Sequence, residues 1–502
     1  MKQGRGSCRA ATPPAVLGLV GLRAGGGVPG SASPAEAILS LGGLLVLLIG
    51  AWARGHRPAL TASWLTLAAG AAALWSAPVP PASSPFFGLI LCDPFSLAFR
   101  WLALGTLAIV LLLASASREL AAAVRGECYG LLLLLGVGLM LMAEANHLLM
   151  AYLAMELVSL SSYVLVGFLR ERRSAEAALK YLLFGALSSG IMLFGMSLLF
   201  GLTGSLAFPD LQAAVAGTGG PMARALLVAA ALMLAGLAFK ISMVPFHMWT
   251  PDVYEGAPAA VTALLSVGPK AAGLALLLRL LEALAPLWAS LSPLLLALTV
   301  VTMTLGNLVA LVQTNVKRLL AYSTIGQVGY LLIGLAVHTR VGHEALLVYL
   351  VAYLFMNLGA FACVVAVMNG TGSEALEAFR GLARRAPGLS LAFAVFLLSL
   401  AGIPPLLGFV GKFLLLGSAL DAGEVALAVA AAVNSAIALY YYTNIIRLMY
   451  FAPPAQAEPL SPSPSPALRL ALGSCAAATL ALGLWPGPLL ELISRLAVVR
   501  LL

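Results

Sequence analysis

From Ala37 onward the chain is a succession of apolar runs, each long enough to cross a bilayer. A span needs about 20 predominantly apolar residues. Fourteen are predicted, near 37–53, 59–76, 97–115, 129–145, 147–168, 175–201, 223–248, 258–281, 286–312, 318–337, 343–368, 389–420, 424–450 and 467–486. Lipid offers backbone N–H and C=O groups no partners, so such runs fold as helices. Only 9% of the 502 residues are charged, where a soluble domain carries about 25%. The expected fold class is an all-α integral membrane protein.

The same composition removes several functions. Five cysteines stand singly, at Cys8, Cys92, Cys128, Cys363 and Cys475, with no CxxC or Cys/His cluster along the chain. Iron–sulfur or zinc ligation is not expected from that pattern. No Walker sequence and no strand-turn-helix GxGxxG is present, and Gly217-Thr218-Gly219-Gly220 reads as a loop. Cofactor chemistry is therefore expected in other subunits, and no nucleic-acid partner is expected despite the formal charge of +9.

Placement of that charge predicts orientation. Connections after odd-numbered spans hold 14 Lys and Arg, among them Arg118, Arg125, Arg172, Arg173, Lys317 and Arg318; the opposite face holds six, including Arg100, Arg224 and Arg279. The positive-inside rule puts the first set in the cytoplasm and both termini outside. Residues 1–36, rich in Gly, Pro, Ser and Ala, read as a disordered tail or a start codon set too early.

Two spans are interrupted. The seventh has Pro245 after Lys240, and the twelfth reads SLAGIPPLLGFVGKF before and through Lys412. Proline removes a helical N–H and clashes with the preceding turn. Broken helices in corresponding positions of two halves mark transporters built from inverted repeats. The predicted organisation is spans 1–3 in 37–128, a first repeat (spans 4–8) in 129–281, a second, inverted repeat (spans 9–13) in 282–450, and span 14 in 451–502.

Glu156, Lys180, Lys240, Lys270 and Lys412 fall inside predicted spans. A central Lys costs roughly 3 kcal/mol to insert, so ionisable groups there mark ion or proton paths. A desolvated lysine can release and regain a proton near neutral pH, and a nearby carboxylate opposes that. Bland readings stand beside each: an interfacial carboxylate for Glu156, snorkelling for Lys180 (four residues after Glu176) and for Lys412, structural ion pairs for Lys240 and Lys270. His247, beside Pro245, reads equally as a satisfied polar group or a secondary proton site. Asp252 and Glu255 read as capping or gating groups in a connection, Lys317-Arg318 as an orientation signal, and Tyr440-Tyr441-Tyr442 as packing. Glu144 receives no role.

The stretches FKISMVPFHMWTPDVYEGAP (239–258), GNLVALVQTNVKRLLAYSTIGQVGYLL (306–332), SLAGIPPLLGFVGKF (399–413) and SAIALYYYTNIIRLMY (435–450) resemble subunit N of the proton-pumping NADH:quinone oxidoreductase, respiratory complex I. The resemblance covers about Ala37 to Leu502. DVYEGAP (252–258) and Lys412 favour that subunit over its two antiporter-like paralogues. The resemblance implies a multi-pass inner-membrane subunit that translocates protons and does no redox chemistry itself. Quinone, flavin and iron–sulfur centres would sit in partner subunits, and paralogous membrane subunits and the lipid bilayer would be its neighbours. It implies that Glu156 pairs with Lys240, that Lys180 modulates the pair, that Lys270 lies between two half-channels, and that Lys412 lies near the outward exit. A multisubunit cation/proton antiporter, a non-conducting structural subunit, or the same subunit in a complex fed by another electron donor are the alternatives.

Overall fold

The computed structural model describes residues 34–53, 55–76, 86–454, 464–497 and 499. The predicted tail, 1–36, lies almost wholly outside these. The helices are α1 (Pro34–Trp52), α2 (Arg57–Ser76), α3 (Pro94–Ala116), α4 (Arg125–Glu144), α5 (Leu148–Val166), α6 (Arg172–Thr203), α7 (Phe208–Ala216), α8 (Gly220–Ile241), α9 (Trp249–Gly256), α10 (Ala259–Ala283), α11 (Trp288–Ala310), α12 (Val316–Ala336), α13 (Arg340–Thr371), α14 (Leu382–Arg385), α15 (Pro387–Ala401), α16 (Leu407–Asp421), α17 (Val425–Phe451), α18 (Pro466–Leu484) and α19 (Gly487–Leu496). Thirteen described helical segments are long and apolar enough to cross a membrane. The remaining predicted span, 389–420, is two 15-residue half-helices, α15 and α16. Among the described residues the chain is all-helical.

The repeat is visible in the backbone. Leu148 N–H donates to the Leu206 carbonyl and Phe208 N–H to that of Asn146; Val316 donates to Glu374 and Leu376 to Thr314 in the same pattern, every residue moved by one constant offset. The turn beside it recurs too: Thr203 and Thr371 each donate from Oγ1 to the carbonyl four residues back, before Gly204 (φ 76°) and Gly372 (φ 67°). Both repeats carry a 32-residue helix, α6 and α13. Five crossings per repeat leave the second upside-down relative to the first.

The two helix breaks match as closely. α8 ends at Ser242 with φ 64° and α15 at Gly402 with φ 89°, each followed by a cis X-Pro bond, at Pro245 and Pro405. Met243 N–H donates to Ala238 and Ile403 N–H to Leu398, closing the two helix ends identically. A left-handed residue at this position satisfies carbonyls that the ending helix leaves free. After the first break the chain forms α9, where the sequence predicts only a connection.

α10 is central. It packs on α3, α4, α8, α12 and α13, and its apolar span is buried throughout. A helix apolar on all sides belongs inside a bundle.

Arg100 and Arg279, predicted as loop charges, are not in loops. Arg100 is buried in α3, with Nε 2.7 Å from Glu36 and 3.1 Å from Glu144. Arg279 is buried in α10, 2.8 Å from Asp93 and bonded to the Ala143 carbonyl. Taking either charge out of water is costly unless it is paired and hydrogen-bonded, and these partners supply that pairing for both arginines.

Candidate functional site

Lys240 occupies the last turn of α8 and is 1% exposed. Its Nζ donates to Ser159 Oγ at 3.0 Å, on α5. Glu156 lies three residues earlier on α5, half-buried, and accepts instead from Ser189 Oγ of α6. The expected Glu156–Lys240 contact is thus replaced by two serine contacts.

Lys270 lies mid-way along α10 with no exposed surface, and its Nζ has no hydrogen-bond partner. It sits over the Trp249 ring at 4.6 Å and the Tyr254 ring at 5.4 Å, both on α9. Desolvated cation–π contacts are worth about 2 kcal/mol, the same order as the roughly 3 kcal/mol of inserting a central lysine. The rings therefore offset much of that cost without fixing the ammonium in an ion pair. Trp249 is held by its Nε1 donating to the Phe239 carbonyl at 3.0 Å, and its indole stacks on Tyr181. Phe239 precedes Lys240, so one indole ties the two lysine environments together. Pro269, next to Lys270 in sequence, lacks an N–H, which leaves the Leu265 carbonyl without its helical donor.

Lys412 is in the second turn of α16, 5% exposed, over the Tyr330 ring at 4.1 Å. Its Nζ reaches back across the break to the Ala401 carbonyl at 3.3 Å. It does not snorkel to an interface.

Between Lys270 and Lys412 lies a buried polar row. Tyr353 donates to Thr324 at 3.0 Å, and Tyr349 donates to Gln327 Oε1. Gln327 Nε2 donates to the Leu400 carbonyl and to the Tyr442 hydroxyl, both at 3.1 Å. Leu400 adjoins Ala401, so the row ends on the carbonyl next to the one that holds Lys412. Tyr442, with Tyr441 bonded to Asn307 at 3.1 Å, is part of this network and not mere packing. The row was missed in sequence because its members are single Tyr, Thr and Gln residues on different helices.

Lys180 stands apart. Its side chain is 41% exposed and bridges Glu176 and Asp252, both at 2.9 Å. Asp252 and Glu255, on α9, also hold Arg318 at 2.8 and 2.7 Å. Arg173 pairs with Glu255 and Glu374, and Lys317 with Glu374 at 2.9 Å and the Ala257 carbonyl at 2.9 Å. Lys317 is buried, so it ties down the α9–α10 junction rather than marking orientation alone. This network shares α9 with the Lys270 aromatic box: Asp252 and Glu255 carry the ion pairs, Trp249 and Tyr254 the rings. His247 lies half-buried in the first break, away from the row, with Nδ1 unpartnered. Glu144, given no role from sequence, is fully buried beside Arg100.

A family model described as NADH:quinone oxidoreductase/Mrp antiporter, transmembrane, matches residues 145–438. NADH-quinone oxidoreductase subunit N of Anaeromyxobacter sp. (strain Fw109-5) is 42% identical over 86% of this chain and 89% of its own length. NADH-quinone oxidoreductase subunit N 2 of Sorangium cellulosum (strain So ce56) is 44% identical over 92% of each chain. Among solved structures, a chain of respiratory complex I from Thermus thermophilus superimposes with TM-score 0.77 at 36% identity, over 91% of this chain and 98% of that one. A chain of the Mrp complex from Dietzia sp. DQ12-45-1b superimposes with TM-score 0.81 at 25% identity, over 93% and 96%. With its paired helix breaks, its repeated backbone and these relatives, the chain belongs to the subunit N family of NADH-quinone oxidoreductase, within the antiporter-like membrane subunits.

Proposed function

We propose that this chain translocates protons across the cell inner membrane as part of an NADH:quinone oxidoreductase, driven by quinone reduction in partner subunits. The reading rests on one observation: three lysines are buried in the bundle, Lys240 and Lys412 at helix breaks and Lys270 mid-way along the central helix, with a row of buried hydroxyl and amide side chains leading to the carbonyl next to the one that holds Lys412. Protons enter at the arginine-rich, cytoplasmic face, where Lys180 and Asp252 rim the first repeat. They reach Lys270 beneath Trp249, pass along the Tyr353–Thr324 and Gln327–Tyr442 groups to Lys412, and leave on the face where both termini lie. Glu156, one turn from Ser159 on α5, and Lys240, bonded to Ser159, set the charge that Lys270 meets on this route. His247 is a secondary site at the first break. Quinone, flavin and iron–sulfur centres belong to partner subunits, and the paralogous antiporter-like subunits and lipid surround the chain.

The test is Lys240→Ala in the assembled complex, with assembly checked and proton translocation followed in proteoliposomes. Pumping is expected to fall at least about tenfold, equivalent to about 1.4 kcal/mol of barrier. Full pumping at normal assembly rejects the role. The fold likeness to an Mrp complex favours a second reading, cation/proton exchange. It predicts sodium-dependent transport and no co-purifying flavin or iron–sulfur subunits.

A further inference from the structure

On the face opposite the arginine network, three side chains from distant parts of the chain converge. Glu282 is in the last turn of α10, His338 follows α12, and His343 is in the first turn of α13. One ligand atom from each lies within 4.8 Å of the other two. His343 is 7% exposed and its Nε2 has no partner; His338 Nδ1 is likewise buried without one. Buried imidazole nitrogens left unpaired are costly unless something binds them.

The surroundings fix the rings rather than satisfy them. The His338 ring stacks on Trp288 at 4.2 Å and meets the His343 ring edge-on at 5.9 Å. His338 has φ 45°, in the left-handed region that histidine enters more readily than most residues. Thr339 caps α13 by accepting from Gly342 N–H at 3.1 Å, which sets the turn that presents His343. Gln212 holds the Glu282 carbonyl at 3.0 Å, leaving the carboxylate free. The neighbouring cation, Arg340, is engaged by Glu344 at 3.0 Å and by the Ser494 carbonyl.

We infer that Glu282, His338 and His343 bind a divalent transition-metal ion of the zinc class, with a position open to water. Two imidazoles and a carboxylate are a three-residue donor set that zinc takes in open sites; hard Mg²⁺ and Ca²⁺ prefer all-oxygen sets. One carboxylate with two neutral imidazoles suits a dication. The ion would fasten the end of the Lys270 helix, in the first repeat, to the α12–α13 turn in the second. A scan for clustered ligands along the chain misses the site because Glu282 is far from the histidines in sequence.

The experiment uses the intact membrane complex, equilibrated with buffered Zn²⁺ and analysed for zinc by mass spectrometry. Wild type is expected to hold about one more zinc per chain than His343→Gln or Glu282→Gln. Zinc affinity at this site should fall by at least the roughly tenfold that losing even an outer-shell partner costs. His338→Cys should retain the zinc that His338→Ala loses, separating ligation from damage to the fold. Zinc should also slow hydrogen exchange across residues 337–342 in wild type and not in His343→Gln. Equal zinc contents in wild type and in both the His343→Gln and Glu282→Gln complexes overturn the inference, as does a His338→Ala complex that keeps its zinc.

Discussion

The two helix breaks share a backbone and differ in their charges. Moving Ser242 onto Gly402 carries Lys240 onto Leu400 and Asp252 onto Lys412. The first repeat places its lysine before the break, the second after it. Both lysines stand close to where a helix ends, but their ammoniums meet different acceptors, Ser159 Oγ for Lys240 and the Ala401 carbonyl for Lys412. Lys240 is in the last turn of α8, and Lys412 bends back to the carbonyl of Ala401, the last residue of α15. The C-terminal end of a helix carries partial negative charge from unpaired carbonyls. The end of α15 holds its lysine directly, and the end of α8 carries one within its last turn, so the two arrive from opposite sides of the break. The supporting position differs as well: under the repeat offset, Ser159 beneath Lys240 becomes Gln327, and Glu156 becomes Thr324. A carboxylate acts on the first site and none on its counterpart.

The largest expected effect lies where the repeats meet. Lys270→Met keeps the volume over Trp249 and Tyr254 and removes the charge. Proton pumping by the assembled complex should fall at least about tenfold. Unaltered pumping would favour a scaffold role for the whole chain.

Relocation tests the comparison itself. Lys412→Leu is expected to lower pumping several-fold. Adding Leu400→Lys puts a lysine at the Lys240 equivalent, next to the same Ala401 carbonyl, and should recover part of the loss. If the double variant is no better than Lys412→Leu, the shared half-helix end is not what positions these cations.

Gly402→Ala separates the two breaks on steric grounds. Ser242, at φ 64° and ψ 35°, lies in the small left-handed region open to side chains, and its hydroxyl accepts from Thr250 at 2.8 Å. Gly402, at φ 89°, lies outside that region, and an added Cβ would meet Lys412 Cδ at 2.9 Å. Alanine there should cost about 1–3 kcal/mol, read as earlier thermal inactivation, and should also disturb Lys412. Unchanged inactivation and pumping would mean the break relaxes freely.

Much of this was legible from residue order, for definable reasons. Span number followed from hydropathy, because backbone satisfaction in lipid leaves few options. Lys240, Lys270 and Lys412 stood out because charge is rare in such runs. Lys180 stood out for the same reason, but its pairing with Asp252 and Glu176 near the start of α6 depends on how α9 folds back, which no local pattern encodes. Glu144 was passed over because its partner, Arg100, is on another helix. The same holds for Gln327, Tyr349, Tyr353 and Tyr442. A hydroxyl in a membrane helix is ordinary until tertiary packing lines several up.

The smallest expected effect concerns how the last helix of each repeat begins. α17 starts at the exposed Val425 without a side-chain cap. α10 starts in the interior, and its Ala259 N–H is satisfied from outside the helix by Glu119, at 2.8 Å, in the α3–α4 connection. Burial raises the Glu119 carboxyl above its ordinary value, against the opposing pull of Lys317 and of the Ala259 N–H. The folded state thus binds this proton more tightly than the unfolded chain does. Stability from this group is present at acid pH and is lost as pH rises through the folded value. Glu119→Gln keeps an oxygen for Ala259 and removes the charge. The variant should inactivate at a temperature higher by about 2 °C or less near neutral pH, with the gap closing on acidification. A gap that persists at acid pH, or a destabilised variant at neutral pH, would show that the charge at the α10 start is favourable. α10 would then be anchored by its helix dipole rather than by a neutral hydrogen bond.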